Sequence, residues 1–210
     1  MNQTWMHLVA QIAIMVPAFL ISVSFHEFCH AAVAFLLGDS TAQRAGRLTL
    51  NPLAHIDPLG VLFLIIFRIG WASPVPINQH NFKHPRIYSV ISALAGPLSN
   101  LILATAALLC IKFFPVSLLS VTATTTSVQF LKVLTSVNIM LGVFNLLPIP
   151  PLDGSHIFAA LLSKHFPQAV VWLYRYSLFI LLAVLMLPQT QQLLRILMRD
   201  TERYLKALIF

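Results

Sequence analysis

Apolar stretches long enough to cross a lipid bilayer recur along this chain. They lie near residues 8–37, 87–111, 130–150 and 169–187, and a spanning helix needs about 20 mainly apolar residues. Of the 210 residues, 58% are hydrophobic and only 9% are charged, whereas a soluble domain has roughly 25% charged residues. The sequence therefore predicts an all-α polytopic membrane protein, a bundle of about 4–6 transmembrane helices. We expect one domain over 1–210, with a transmembrane core at 1–188 and an amphipathic C-terminal tail at 189–210.

The charges and cysteines argue against two other classes of protein. The formal net charge is +7, but the basic residues are scattered between apolar segments and form no aromatic-interleaved patch, so loop charges that set topology explain them better than nucleic-acid binding. Cys29 and Cys110 fall inside predicted spans, without the paired spacing of a disulfide framework or a thiolate metal site. No Lys or Arg precedes the first apolar run, so we expect that run to be retained rather than cleaved as a signal peptide.

The polar connection after the first apolar stretch carries two irregular segments. Residues 44–50 alternate polar and apolar side chains, a pattern that favours a short β-strand or β-hairpin. Residues 58–77 have an apolar core that Arg68 interrupts early and that prolines follow. That core is too short for a confident crossing, so we expect a re-entrant or interfacial segment.

A polar cluster interrupts the first apolar stretch. His26, Glu27 and His30 form the pattern H-E-x-x-H. On a helix, positions i and i+4 share a face, so both imidazoles can bind one metal ion while the glutamate holds a water beside it. A catalytic zinc site uses three protein ligands and leaves a fourth position open, so one ligand is missing from this motif.

The acidic residues of the chain suggest the third ligand. Only six exist, and Asp153 alone is isolated in an apolar setting, at the proline-broken end of a predicted span. With neutral imidazoles, the charge of Zn²⁺ would be balanced by Asp153 and Glu27, which lowers the cost of a buried site. The alternative is that Asp153 caps a helix or a turn before Gly154.

Four motifs in this order resemble the site-2 protease family of intramembrane zinc metalloproteases. They are "HEFCH" at 26–30, "GRLTLNPLAHIDPLG" at 46–60, "GPLSN" at 96–100 and "NLLPIPPLDG" at 145–154. The resemblance implies that His26, His30 and Asp153 bind one Zn²⁺ per chain and that Glu27 is the general base and acid. It also implies a minimal form of the family, without a PDZ domain.

The function implied by this resemblance is regulated intramembrane proteolysis. A zinc-activated water would attack a peptide carbonyl in the transmembrane segment of a membrane-anchored protein substrate, with Glu27 as general base. A helix hides its carbonyls in internal hydrogen bonds, so the substrate must unwind first. The alternatives from other classes are a catalytically silent membrane scaffold and a metal transporter.

Several residues are candidates for substrate binding. An unwound substrate can pair with a strand edge, and Arg47, Leu48 and Thr49 within 44–50 are the candidates for that edge, unless the segment is an ordinary connector. Asn145 either holds the substrate backbone or an oxyanion, or bonds the broken helix. His156 is either an outer partner of the metal site or a polar residue at a helix end, and Cys29 is expected to be a small packing residue.

The metal site constrains the topology. His26, His30 and Asp153 must share one depth, and both motifs lie toward the C-terminal ends of their spans, so those two helices should run parallel with one crossing between them. More basic residues then lie on the side nearer the metal, namely Arg44, Arg47, Arg68, Lys83, Arg86 and Lys164, against Lys112 and Lys132 opposite. The positive-inside rule therefore predicts an active site that faces the cytoplasm. The four basic residues of the tail conflict with this if 169–187 crosses once, unless the tail re-enters or that span is irregular. The resemblance favours a bacterial inner membrane, and the sequence sets no oligomeric state.

Overall fold

The described structure, a computed structural model covering residues 3–67, 70–113 and 120–210, is built from helices. The helices are α1 Gln3–Leu36, α2 Thr41–Arg44, α3 Pro58–Phe67, α4 Pro85–Lys112, α5 Val121–Asn145, α6 Gly154–Leu162, α7 Pro167–Arg175, α8 Ser177–Met186 and α9 Pro188–Ile209, with short 3₁₀ turns at Pro52–Ala54 and Gln79–Asn81. The predicted all-α class is therefore confirmed for these residues.

Three helices are long and apolar enough to span a membrane. They are α4, α5 and the Leu8–Leu36 part of α1. The helices α7 and α8 meet at an angle of 64° and together would make a fourth span, if the bent pair crosses once. The described residues thus hold three such helices, or up to four, and a number above four has no support. These apolar helices indicate an integral membrane protein.

The three long helices pack against one another in alternating directions. Ala18, Ala107 and Leu134 share one buried cluster, and further along α1 the His30 imidazole contacts the Ser92 carbonyl. Residue numbers along α4 therefore fall as those along α1 rise, so the two helices are antiparallel. Ser22 of α1 bonds to Asn138 of α5, and numbers there rise together. The helices α1 and α5 are parallel, as the metal-site argument requires.

Small residues on α4 allow this close packing. Its buried positions include Ala93, Gly96, Ser99, Ala104 and Ala107. Side chains of this size let helix backbones approach closely in membrane proteins. The "GPLSN" segment is thus the point at which α4 lies against the H-E-x-x-H part of α1.

The predicted hairpin at 44–50 is wrong. Only Arg44 of this segment lies in a helix, as the last residue of α2, and the chain turns after it where Gly46 adopts a left-handed conformation with φ of 69°. Its N–H and that of Arg47 bond back to the carbonyls of Gln43 and Ala42, the usual way in which a glycine ends a helix. The alternation of polar and apolar residues arose from a helix end followed by irregular chain. An alternating pattern this short does not distinguish such a segment from a β-strand.

The segment after α2 folds back on itself beside α1, where Leu64 of α3 packs against Phe19 and Val23. Ser73 N–H donates to the His55 carbonyl at 2.9 Å, and Ile56 and Ala72 form an isolated antiparallel bridge. Between them, the 10 residues of α3 extend about 15 Å, half the roughly 30 Å thickness of the bilayer core. This agrees with the prediction that 58–77 is not a full crossing, although Arg68 lies outside the described residues.

The C-terminal tail forms α9, at nearly the predicted bounds, and packs against α4, α5 and α8. Lys112, at the end of α4, donates to the Ile209 carbonyl, and its ammonium lies 5.8 Å from the centre of the Phe210 ring. The chain therefore ends beside the end of α4 that is remote from Ser92.

Candidate metal centre and active site

His26 and His30 present their imidazoles to a common point on α1. Both residues are buried, with 7% and 5% of their surfaces exposed. Their Nε2 atoms lie 3.0 Å apart, and the rings meet edge to face. The i, i+4 spacing thus produces the predicted pair.

Asp153 completes the group from a different part of the chain. Its Oδ2 lies 3.2 Å from His26 Nε2 and 3.3 Å from His30 Nε2. The residue precedes α6 but its side chain makes no capping hydrogen bond, so the helix-cap alternative does not describe it. The prolines that end α5 turn the chain so that this carboxylate faces α1.

The three atoms fit a tetrahedral zinc ion. They form a triangle with edges of 3.0, 3.2 and 3.3 Å. Zn–N and Zn–O bonds of about 2.0–2.2 Å in tetrahedral geometry separate neighbouring ligand atoms by roughly 3.3–3.5 Å. The edges are close to that separation, and the donor set of two imidazoles and one carboxylate is one that zinc accepts.

The Nδ1 atoms of both imidazoles make hydrogen bonds within the protein. His26 Nδ1 lies 2.6 Å from Asn100 Oδ1, and His30 Nδ1 lies 2.7 Å from the Ser92 carbonyl oxygen. Both partners accept hydrogen bonds, so each Nδ1 carries the proton and each Nε2 presents a lone pair. Among the residues that the structure describes, none donates a hydrogen bond to the buried Asp153 Oδ2. Three acceptors that face one another at these distances repel unless a cation lies between them.

Gly96 makes room for the two rings. A Cβ at this position would lie 2.2 Å from His30 Nε2 and 2.7 Å from His26 Nε2. Any side chain there would occupy the space that the metal-binding atoms need. The glycine of "GPLSN" is therefore a requirement of the site.

Glu27 faces a cavity of about 270 Å³ that borders two of the three ligands, His30 and Asp153. His30, Asp153, His156, Pro74 and Val75 are among the residues that line it. The Val75 N–H donates to Glu27 Oε2 at 2.9 Å. The buried Glu27 carboxylate is thus held beside the cluster of His26, His30 and Asp153, and one of its oxygens accepts a hydrogen bond from the backbone.

The segment 73–78 forms one wall of this cavity and is fixed at both ends. At one end, the Arg47 guanidinium donates to the carbonyls of Ser73 and Pro74. At the other, Asn78 N–H donates to Asp39 Oδ2 at 2.7 Å. We call residues 73–78 the wall segment. Arg47 therefore positions the wall and is not among the described residues that line the cavity.

Asp39 is a buried carboxylate just beyond the end of α1. Burial by itself would raise its pKa, but hydrogen bonds from the Thr41 side chain, the Asn81 side chain, and the Asn78 and Thr41 backbones hold the pKa below its ordinary value. The carboxylate is therefore a strong acceptor at neutral pH, which anchors the wall segment to α1.

The other predicted site residues have varied positions. Leu48 packs against the cluster of Ala31, Ala42 and Val75, and the Thr49 carbonyl accepts from His55 Nε2 at 2.8 Å. The Asn145 amide donates to the Leu141 carbonyl of its own helix at 3.0 Å. This agrees with the alternative in which Asn145 bonds the broken helix. His156 lines the cavity. Cys29 and Cys110 are free thiols, as expected.

Sequence reasoning missed the polar residues behind His26. Asn100 and Asn138 are fully buried, with 0% of their surfaces exposed, on α4 and α5. An asparagine inside a predicted span is itself a signal of function, and Asn138 stands in such a span. Nothing in the sequence shows which residue it contacts.

Comparisons with known proteins agree with this geometry. A family model described as peptidase family M50 matches residues 113–186, which contain Asp153. Several relatives bear the name "Putative zinc metalloprotease". YwhC of Bacillus subtilis (strain 168) is 37% identical over 177 residues, which are 83% of this chain and 80% of the relative. Rip2 of Mycolicibacterium smegmatis is 31% identical over 180 residues, which are 83% and 67% of the two chains.

No solved structure matches the chain. The identity to YwhC extends over most of both proteins, and the matched region of the family model supplies the carboxylate that completes the cluster on α1. The chain belongs to peptidase family M50, the site-2 protease family of metalloproteases.

Proposed function

We propose that this protein is an intramembrane zinc endopeptidase that cleaves the transmembrane segments of membrane-anchored proteins. The observation that carries the proposal is the convergence of His26 Nε2, His30 Nε2 and Asp153 Oδ2 within 3.3 Å. Glu27 lies on the same cavity. Two imidazoles, one carboxylate and an adjacent glutamate are the components of a zinc hydrolase site.

His26, His30 and Asp153 would hold the zinc ion. Zinc bound there would lower the pKa of a water molecule to about 7 and polarise the scissile carbonyl. With neutral imidazoles, the carboxylates of Asp153 and Glu27 balance the ion's two charges, which makes the site compatible with a low-dielectric interior. The name of the relative YwhC, which includes zinc, supports this choice of metal.

Glu27 is proposed as the general base and then the general acid. Its carboxylate takes a proton from water and later passes that proton to the leaving amine. The bond from Val75 N–H fixes one carboxylate oxygen and leaves the other for the proton. Because the carboxylate is held before substrate arrives, little reorganisation is needed during the reaction.

The wall segment is the proposed docking edge for an unwound substrate, in place of residues 44–50. In extended chain, the N–H and C=O of one residue point to the same edge, and alternate residues share an edge. Val75 N–H donates toward Glu27, so in an extended conformation Val75 C=O and both main-chain groups of Ile77 would lie on the same edge. Within the described part of the chain, Ile77 N–H and C=O make no hydrogen bond. Pro74 and Pro76 remove the donors from the opposite edge.

The proposed substrates, location and orientation extend this account. A substrate helix must expose its carbonyls before attack, so helix-weakening residues near the cleaved bond should favour cleavage. Arg44, Arg47, Lys83 and Arg86 lie in or next to the segment that joins α1 to the N-terminal end of α4, the side of the metal cluster. By the positive-inside rule, we propose that this side faces the cytoplasm of a bacterial inner membrane.

Two alternatives make different predictions. A metal transporter would need several ligand groups along a route, and the described residues contain one such group. A silent scaffold would have no use for a glutamate held beside the metal ligands. The cavity with Glu27 on its wall therefore favours the protease.

The test is cleavage of a transmembrane reporter in detergent, with zinc content measured on the same samples. We expect the native protein to bind one zinc and cleave, and Glu27→Gln to keep zinc but lose cleavage. Glu202→Gln, a change of the same kind at a half-buried residue of α9 that pairs with Lys206, is the control and should cleave normally. Cleavage by Glu27→Gln would contradict the mechanism. Zinc binding without cleavage of any reporter would favour the scaffold.

A further inference from the structure

Two asparagines, Asn100 on α4 and Asn138 on α5, link the three spanning helices directly behind His26. Both are fully buried, and polar groups at such positions in membrane proteins are costly. Together with Ser22 of α1, they form a connected set of hydrogen bonds that ends on His26 Nδ1. The donors and acceptors in this set determine the directions in which the Oδ1 and Nδ2 atoms of each asparagine point.

The orientation of the Asn138 amide is fixed by a backbone carbonyl. Its Nδ2 donates to the Leu134 carbonyl at 2.8 Å and to Ser22 Oγ at 2.7 Å. The Ser22 hydroxyl proton is already donated to the Ala18 carbonyl, so Ser22 Oγ accepts. A reversed amide would place Oδ1 against the Leu134 carbonyl, which cannot donate. Oδ1 of Asn138 therefore points toward Asn100.

The orientation of the Asn100 amide follows from that of Asn138. Its Nδ2 donates to Asn138 Oδ1 at 2.8 Å and to the Ser22 carbonyl at 3.2 Å. Both partners only accept, so Nδ2 must face them. This leaves Asn100 Oδ1 as the group that faces His26 Nδ1, at 2.6 Å.

The consequence for His26 is a defined tautomer. An acceptor at Nδ1 requires the proton there, and Nε2 then presents its lone pair toward Asp153 and His30. If the Asn100 amide were reversed, its N–H would face Nδ1 and favour the tautomer protonated at Nε2. That proton would occupy the direction from which His26 binds metal.

We propose that Asn138 and Asn100 form an orienting chain that sets the tautomer of His26, which makes Asn138 a positioning residue for zinc although it contacts none of the zinc ligands. The inference rests on the proposed zinc function. It differs from simple helix-to-helix adhesion because it depends on the direction of the amides, and this difference can be tested.

The test compares Asn138→Leu in two backgrounds, the native chain and Asn100→Asp. Both oxygens of a carboxylate accept, so the side chain introduced by Asn100→Asp presents an acceptor to His26 whichever way it turns. Loss of Asn138 should then cease to matter for zinc. Thr135→Val is the matched control, since Thr135 is buried on the same helix and, within the described part of the chain, its side chain bonds only to the Leu131 carbonyl.

The readouts are the zinc dissociation constant of the full chain in detergent, by competition with a chelator, and the visible spectrum after cobalt substitution. We expect Asn138→Leu to weaken zinc binding about 10-fold in the native background, within the range for outer partners of metal ligands. In the Asn100→Asp background the same change should have less than a 2-fold effect, a non-additive result typical of coupled residues. The cobalt spectrum should change with Asn138→Leu and stay native with Thr135→Val.

Equal loss of zinc affinity in both backgrounds would overturn the proposal, because the bond from Asn138 Nδ2 to Ser22 Oγ, which joins α5 to α1 independently of position 100, would then account for the loss. Native affinity in Asn138→Leu would overturn it as well. If that variant fails to fold, Asn138→Ala takes its place in the same comparison. If the native chain binds no zinc, the proposed function fails first, so the two failures are distinguishable.

Discussion

The Val75 N–H donates a hydrogen bond to Glu27 Oε2 at 2.9 Å, which joins the proposed catalytic base on α1 to the wall segment. The donor is a backbone group, so it depends on the path of the chain and not on the identity of the side chain. Since Arg47 and Asp39 hold the two ends of that path, residues remote from the metal cluster should affect catalysis without affecting metal binding.

Removal of the Val75 N–H should impair catalysis. We expect Val75→Pro to lower kcat/KM about 10-fold, since a hydrogen bond to a charged group contributes about 1.5–3 kcal/mol and tenfold in rate corresponds to about 1.4 kcal/mol. Val75→Ala keeps the N–H and serves as control. Zinc content should be native in both. If Val75→Ala and Val75→Pro lose activity equally, the side chain and not the backbone donor is responsible.

Loss of the hydrogen bonds from Arg47 to the wall segment should also impair catalysis. We expect Arg47→Gln to reduce cleavage of a transmembrane reporter by about 10-fold at native zinc content, because its charge-assisted bonds to two carbonyls are lost. Arg44→Gln, a change three positions earlier at an exposed residue, should cleave normally. Loss of zinc in Arg47→Gln would contradict the separation of wall and metal cluster.

The space at Gly96 should be indispensable for metal binding. In Gly96→Ala, the new Cβ would fall 2.2 Å from His30 Nε2, so we expect zinc affinity to drop by at least 100-fold. The same substitution at Gly142 meets the Leu101 side chain and the Pro97 carbonyl at 3.1 Å, and should reduce thermal stability while keeping zinc. Native zinc affinity in Gly96→Ala would show that α4 does not approach the imidazoles this closely.

Asp39, which holds the second end of the wall segment, should make the stability of the protein depend on pH. Hydrogen bonds hold the pKa of Asp39 below its ordinary value despite burial, so its contribution to stability is present above the unfolded pKa of about 3.9. That contribution is lost as pH falls through the lower folded pKa. We expect thermal unfolding in detergent to show native stability falling below about pH 4.

In Asp39→Asn, stability at pH 7 should drop by about 1–3 kcal/mol and the fall at low pH should be smaller. Asp200→Asn, on the exposed face of α9, should leave both the neutral stability and the low-pH fall native. If stability fell as much at low pH in Asp39→Asn as in the native chain, other carboxylates would be responsible for the loss of stability.

Local patterns predicted the parts of the site that depend on spacing. The i, i+4 histidines met as expected because helix geometry fixes their distance, and the scarcity of acids indicated Asp153. Apolar length located α1, α4 and α5, but the predicted span at 130–150 is α5 at Val121–Asn145 and the predicted span at 169–187 is the bent pair α7 and α8. The alternation at 44–50 misled because seven residues carry too little period-2 information to exclude a helix end. The contacts of Glu27 with Val75 and of Ser22 with Asn138 join residues 48 and 116 positions apart, which no local pattern encodes.

Zinc X-ray absorption on the purified protein reports the metal ligands directly. We expect one zinc per chain with nitrogen and oxygen neighbours at about 2.0–2.2 Å and outer-shell scattering from two imidazoles. In Asp153→Ala the zinc should be weakly bound and its oxygen scattering altered. A sulfur neighbour at about 2.3 Å, scattering from fewer than two imidazoles, or a native spectrum in Asp153→Ala would contradict the assignment of His26, His30 and Asp153 as the ligands.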